Sequence, residues 1–415
     1  MIDLIRIIVF ISIYLGLFTF VYYLLTFLDR KKVENKITKY PFVSIIIPAY
    51  NEQNCLRKTA ESAYALNYPK DKYEIIIVDD GSKDKTYEIA KKLQKELPIV
   101  RAFTKKNGGK GSALNYGIKR AHGEIIVSFD ADSMVTPDSL VYMLPYFYDK
   151  DVVCVTPAMK VYHPKGILQR VQAIEYDLGV FLRKVFSQVN AVHVTPGPFS
   201  AYRKSFFDKH GGYDEDNITE DMEIALRIQS LNYKIENSPR SVVYTLAPKN
   251  FLPLLKQRRR WYFGFIRNFI DYKFIIGKKY GELGLFILPL AIISILSTMI
   301  ITSYYIIKSI IDTINQVQLY SYIGFDFINN LEFKSYLLTL NLYRVFSEGI
   351  LIFGIFFFVT TLIMLLIVNK KIVSIDKPIS TFISYIFFIF LYSLLFTFWW
   401  GVSIIYSISH RRINW

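Results

Sequence analysis

Residues 4–28 form an apolar run broken only by Arg6 and closed by the basic cluster Arg30, Lys31 and Lys32. A helix rises about 1.5 Å per residue, so a run of this length can cross the roughly 30 Å of a bilayer's hydrocarbon. No small-residue cleavage site precedes the basic cluster, so the run reads as an uncleaved anchor. Three more apolar runs follow late in the chain, over residues 283–311, 350–368 and 379–409, which predicts four spans. Lys278 and Lys279 precede the second run, and Lys370, Lys371 and Lys377 lie between the third and fourth. With the cluster after the first run, these place residues 29–281 in the cytoplasm of a cell-membrane protein. Arg411 and Arg412 oppose that count at the last span.

Composition agrees with a membrane protein that carries a folded aqueous part. Of 415 residues, 52% are hydrophobic and only 20% charged, which argues against a disordered chain and an ordinary soluble enzyme. The net charge of +15 is carried almost entirely before residue 282. Cys55 and Cys154 have no second sulfur partner nearby, which excludes a disulfide scaffold and a thiolate zinc site; both are expected to be buried small hydrophobes.

Between the anchors, short β-branched runs alternate with segments of helical period. Residues 43–47, 74–78 and 124–129 read as strands; residues 54–65, 86–97 and 111–121 read as helices. Such alternation predicts a parallel α/β sheet, whose ligands bind outside the carboxyl ends of the strands. Polar clusters follow each strand: Pro48-Ala-Tyr50-Asn51-Glu52, then Asp79-Asp80-Gly81-Ser82, then Asp130-Ala-Asp132. All three are expected along one rim. Two carboxylates spaced as Asp130 and Asp132 can approach one point and suit a hard divalent cation bridging phosphate oxygens.

These clusters, with Asn107-Gly-Gly-Lys110, resemble the inverting family 2 glycosyltransferases. Thr219-Glu220-Asp221 and Gln257-Arg258-Arg259-Arg260-Trp261 resemble the T-E-D and Q-x-x-R-W signatures of its processive branch, which includes poly-N-acetylglucosamine, chitin-oligosaccharide, hyaluronan and cellulose synthases. The resemblance covers roughly residues 40–270. It implies an α/β domain of GT-A fold, a Rossmann-like mixed sheet, joined to an α-helical transmembrane region. The divisions expected are residues 1–28 as an N-terminal span, 29–250 as the cytosolic domain, 251–281 as an amphipathic interfacial segment and 282–415 as a membrane region of about three helices.

By the same likeness Pro48, Tyr50, Glu52, Asp79, Asp80, Lys110 and Asp130 would bind the nucleotide sugar, and Asp132 with Asp130 would hold Mg²⁺ or Mn²⁺. Asp221, beside Glu220, would be the general base for the acceptor hydroxyl, with Thr219 as the helix N-cap. Gln257, Arg260 and Trp261 would complete the catalytic set, and Gly197, Pro198, Phe199 and Ser200 would line the acceptor site with Trp261. Inverting single displacement needs no covalent enzyme nucleophile. Basic and aromatic residues alternate over 251–279, which fits a helix lying among lipid headgroups. Nucleic acid is the other partner for such a stretch, but its place directly before a span argues against that.

The expected activity is processive transfer from a UDP-sugar, UDP-N-acetylglucosamine foremost, onto a growing glycan that leaves through the protein's own spans. The alternatives are a non-processive transferase acting on a lipid-phosphate or glycolipid acceptor, and a nucleotide-sugar-binding transporter or receptor.

Overall fold

The computed structural model describes residues 4–28, 37–323 and 378–409, with a few positions between 355 and 366. The chain opens with α1 (Leu4–Leu28), then alternates β1 (Val43–Ala49), α2 (Leu56–Tyr64), β2 (Tyr73–Asp79), α3 (Thr86–Glu96), β3 (Val100–Thr104), α4 (Lys110–Ile118) and β4 (Ile125–Ser128). It continues through β5 (Ser133–Val135), α5 (Ser139–Met143), β6 (Val152–Val161), α6 (Gly166–Gln188), β7 (Ser200–Arg203), α7 (Lys204–His210), α8 (Glu220–Ser230) and β8 (Lys234–Thr245). Among the described residues three long helices follow: α9 (Phe251–Asp271), α10 (Leu288–Ile323) and α11 (Pro378–Ile408).

The eight strands form one sheet in the order β3-β2-β1-β4-β7-β6-β8-β5. β1, β2, β3 and β4 pair in parallel. β7 runs antiparallel between β4 and β6, and β5 antiparallel to β8. The sheet is therefore mixed, as the family likeness implied, and not the parallel sheet that alternation alone predicts. Alternation detects strands joined by crossover helices; β7 is four residues long and reaches β4 from a loop, so no crossover forces it parallel.

β1 and β2 are covered on both faces, which is why their sequences VSIIIPA and YEIIIVD are nearly continuous apolar runs. Ile45, Ile47, Ile75 and Ile77 pack into one core layer, with Ala60 of α2 and Leu93 of α3. Ile46, Ile76 and Val78 enter the other, with Leu114 of α4 and Ile224 and Ile228 of α8. Burial on both faces fixes the strand register, and with it the rim on which Pro48, Asp79 and the residues after Ser128 emerge.

Three helices among the described residues are long and apolar enough to cross a membrane: Leu4–Leu28, Leu283–Asn315 and Ser384–Ile408. The third expected span, residues 350–368, falls mostly outside the described residues. α1 rests on α6 through Phe27 against Phe181, with ring centroids 5.1 Å apart, and Tyr23 against Phe186 at 5.5 Å. It also meets the start of the second span, where the Tyr22 hydroxyl donates to Glu282 at 3.2 Å and its ring lies 5.0 Å from Phe286. α9 joins α11 by Tyr262 stacked on Trp400 at 4.7 Å. Of the two cysteines, Cys154 is buried as expected, whereas Cys55 is only half-buried.

Candidate active site

The three strand-end clusters converge. Pro48, Tyr50, Glu52, Asp80, Lys110, Asp130, Asp132 and Arg260 line one cavity of about 700 Å³, together with Asn107, Gly108, Gly109, Glu215 and Asp216. The loops after β1 and β2 hold one another beside it. The Asn51 amide donates to Ser82 Oγ at 2.9 Å, and the Lys83 amide donates back to Asn51 Oδ1 at 2.9 Å. Asn51 takes φ of 56°, a left-handed conformation that asparagine tolerates better than most residues.

The paired aspartates after β2 divide their work. Asp80 faces the cavity and accepts from the Gly108 amide at 3.1 Å, the Gly109 amide at 2.7 Å and Lys105 Nζ at 2.8 Å, so it fixes the Gly-rich loop. Asp79 is not in the cavity wall. Its carboxylate accepts from the Ser82 amide at 3.3 Å and Thr104 Oγ1 at 2.7 Å, which ties the β2 turn to β3. Tyr50 stands at the mouth, 43% exposed.

Lys110 begins α4, directly after Gly108 and Gly109, and its ammonium lies 2.7 Å from Asp130 Oδ1 and 3.0 Å from Glu220 Oε1. Burial pushes its pKa down, but Asp130, Glu220 and Asp221 outweigh that and hold it above the usual lysine range. Gly197 makes room for this ion pair: a Cβ there would lie 2.5 Å from Lys110 Nζ and 3.0 Å from Asp130 Oδ2. The rest of that loop supports from behind. Gly197 O accepts from Ser128 Oγ at 2.9 Å, while Pro198 and Ser200 are buried. Phe199 was expected in the acceptor wall. It is instead fully buried, edge-on to Phe129 at 5.1 Å, at a left-handed φ of 63°.

Acids dominate the other side. Burial first, then the charge of Asp130, raises the Asp132 carboxyl above the ordinary range. Glu52 is pushed up to about 7 by burial, then Asp132, Asp130 and Asp84. Among the described residues no three His, Cys, Asp or Glu side chains form a closed metal cage. Asp130 and Asp132 instead fit an ion that completes its shell with ligand oxygens, because their mutual repulsion leaves a negative charge for a cation to offset.

Asp221 and Glu220 open α8. Thr219 occupies the N-cap position but makes no side-chain cap; its hydroxyl is engaged by another helix. Glu220 is buried on Lys110. Asp221 is half-buried, its carbonyl accepting from the Thr195 hydroxyl at 2.7 Å. Burial, then Glu220, raises its carboxyl, while Lys110 and Arg260 pull it back.

From α9, Arg260 reaches the cavity, whereas Trp261 turns to Tyr176 of α6 with centroids 6.5 Å apart. Gln257 is half-buried, and its Oε1 meets no hydrogen-bond donor. The neighbouring Arg258 carries no expected role, yet it is fully buried, ion-paired with Glu175, and centred 4.3 Å from the Trp261 ring and 5.6 Å from Trp399. Arg258 thus faces inward, whereas Lys256 and Arg267 of the same helix are exposed. The inward stripe of α9, Leu254, Arg258, Gly264 and Asn268, was the available signal.

The mixed sheet with acidic strand ends, joined to long apolar helices, has the GT-A architecture. Residues 44–211 match the family model described as "Glycosyl transferase family 2". Poly-beta-1,6-N-acetyl-D-glucosamine synthase of Staphylococcus aureus (strain MSSA476) is 31% identical over 234 residues, 56% of each chain. Its namesake from Staphylococcus epidermidis is 33% identical over 221 residues, 53% of each. The chain thus spans about half the length of the curated relatives it matches. The structure of mannosyltransferase PcManGT from Pyrobaculum calidifontis, in complex with GDP-Man and Mn²⁺, superposes with a TM-score of 0.60 at 21% identity, covering 90% of this chain and 100% of that one; this shows the fold.

Proposed function

We propose that this chain is a membrane-embedded, inverting polysaccharide synthase that transfers N-acetylglucosamine from UDP-N-acetylglucosamine to a growing glycan, processively, and passes the product through its own spans. The observation that carries the reading is the meeting of strand-end carboxylates with Arg260 of α9 in one cavity, beside the Lys110–Glu220 ion pair and Asp221. The relatives' names support the donor and the polymeric product. The catalytic domain faces the cytoplasm of a cell membrane in this reading, with lipid around α1, α10 and α11.

Pro48, Tyr50, Glu52 and Asp80 receive the nucleoside, with Asp79 holding the turn behind Asp80. Asp130 and Asp132 would hold Mg²⁺ or Mn²⁺, which when bound offsets charge on the diphosphate. Lys110 lies against Asp130 and can lend its charge to the same oxygens. Asp221 takes the proton of the acceptor hydroxyl as that oxygen attacks the anomeric carbon and the bond to the diphosphate breaks. Arg260 offsets the charge on departing UDP. Gly197, Pro198, Phe199 and Ser200 set the acceptor side from behind, and Trp261 offers a flat apolar face to the terminal sugar.

The test is UDP release from a panel of UDP-sugars by enzyme in detergent, with labelled product run on a gel. UDP-N-acetylglucosamine is expected to give long polymer, lost on chelation. Asp221→Asn should bind donor normally by calorimetry while transfer falls by about 10²-fold or more, the scale of general-base catalysis. A single-sugar, lipid-extractable product would overturn the polymer reading, and unimpaired transfer by Asp221→Asn would overturn the assignment of the base.

A further inference from the structure

We propose that Asn268 of α9 is a positioning residue for sugar transfer, pinning the strand of chain that leads into Glu220 and Asp221 so that the seating of α9 sets where the base stands. The inference rests on the reading of Asp221 as that base. Asn268 is fully buried. Its Oδ1 accepts from Asn217 Nδ2 at 2.8 Å, and its Nδ2 donates to Thr219 Oγ1 at 2.9 Å. The Thr219 amide in turn donates to Asn217 Oδ1 at 3.0 Å. Both ends of one amide are thus spent on the two polar residues that flank Ile218, immediately before Glu220.

Three further positions, two on α9 and one at its C-cap, reinforce the same contact. Gly264, one turn before Asn268, lies so close that a Cβ would fall 2.2 Å from Thr219 Oγ1. Arg267 Nη1 donates to Asp216 O at 3.2 Å, and the Tyr272 hydroxyl donates to Glu223 Oε1 at 2.6 Å. Contacts from Gly264 to Tyr272 therefore grip residues 216–223 on both sides of Asp221.

The chemistry chosen for the grip matters. A hydroxyl at an N-cap position ordinarily accepts from its own helix, yet Thr219 gives its oxygen to Asn268 and caps nothing. Apolar packing would have held the helices together without directional demands. A buried amide network is satisfied in one register only, because a slip of either helix leaves donors and acceptors unpaired. The helix that carries Arg260 and Trp261 is thereby locked to the start of the helix that carries Asp221, and donor-side and acceptor-side groups move as one.

The experiment compares Asn268→Leu, an apolar near-isostere, and Thr219→Val with Thr219→Ser, which keeps the hydroxyl. Each is assayed in detergent for donor affinity by calorimetry, kcat for UDP release, and melting temperature. A misplacement of about 1 Å costs on the order of 10²-fold in rate. Asn268→Leu and Thr219→Val are expected to lower kcat by about that factor with donor affinity within about 2-fold, while Thr219→Ser stays near the parent in both. Parent kcat in Asn268→Leu, or equal loss in Thr219→Ser and Thr219→Val, overturns the proposal. So does a joint fall of donor affinity and kcat with melting temperature, which marks plain structural damage. Asp221→Asn run alongside separates the two readings: if it keeps full transfer, the base assignment fails, and if it loses transfer while Asn268→Leu does not, only the positioning role fails.

Discussion

Replacing Arg258 by methionine tests how the junction of α6, α9 and α11 is held. The guanidinium is fully buried, paired with Glu175 and flanked by the Trp261 and Trp399 rings. Removing one member of a buried pair costs about 3–5 kcal/mol, because the other charge is left without compensation. Glu175 keeps 21% side-chain exposure, which favours the lower end. The lost cation–π contact adds about 1–2 kcal/mol, offset in part by methionine packing on the same ring. A net loss of about 3 kcal/mol corresponds to roughly 6–12 °C in melting temperature for a domain of about 150–250 residues. Thermal unfolding in detergent reads it directly. The double variant Glu175→Gln with Arg258→Met removes the stranded carboxylate and is expected to recover most of the loss. If the double variant melts as low as Arg258→Met alone, packing against the two tryptophans holds the junction and the electrostatic reasoning is wrong.

Gly197→Ala should push the flexible tip of Lys110 off Asp130 while leaving the fold intact, lowering kcat/KM for UDP release by about 10-fold or more with little change in melting temperature. Parent kcat/KM would show that the ion pair is dispensable. Glu52 gives a pH test: its folded value of about 7 lies above the ordinary 4.5, so the stability its neutral form contributes is complete below pH 4.5 and is lost as pH rises through 7. Glu52→Gln should therefore melt higher than the parent at pH 8 in metal-free buffer but not at pH 4.5. An equal difference at both pH values would exclude titration of Glu52 as the cause.

The strands and the rim were legible because burial on both faces leaves long apolar runs, and because Asn51, Asp80, Asp130 and Asp132 must follow their strands directly to reach the rim. Phe199 lies in the core behind that loop, at a left-handed backbone angle that nothing in Pro-Gly-Pro-Phe-Ser announces. Asp79 and Asp80 are adjacent and chemically alike; only the positions of Thr104 and the Gly108–Gly109 amides, fixed by tertiary structure, assign them different tasks. Arg258 hid among eight basic residues of one segment, although its spacing from Leu254 placed it on the inward stripe. The α9 contact with residues 216–223 joins positions about fifty residues apart, beyond the reach of local periodicity.

The contact of Tyr22 with Glu282 has a consequence for biosynthesis. The two residues are separated by 260 positions, which at about 5–20 residues per second is on the order of 10–50 s of ribosome time. Phe181, the partner of Phe27, also emerges long before that interval ends. In the proposed membrane reading the first helix enters the bilayer well before Glu282 is made, docking first at its Phe27 end while its middle still faces lipid. A segment that must persist unaccompanied for that long has to satisfy its backbone internally and carry almost nothing polar, and the near-unbroken apolar sequence of Leu4–Leu28 meets that demand.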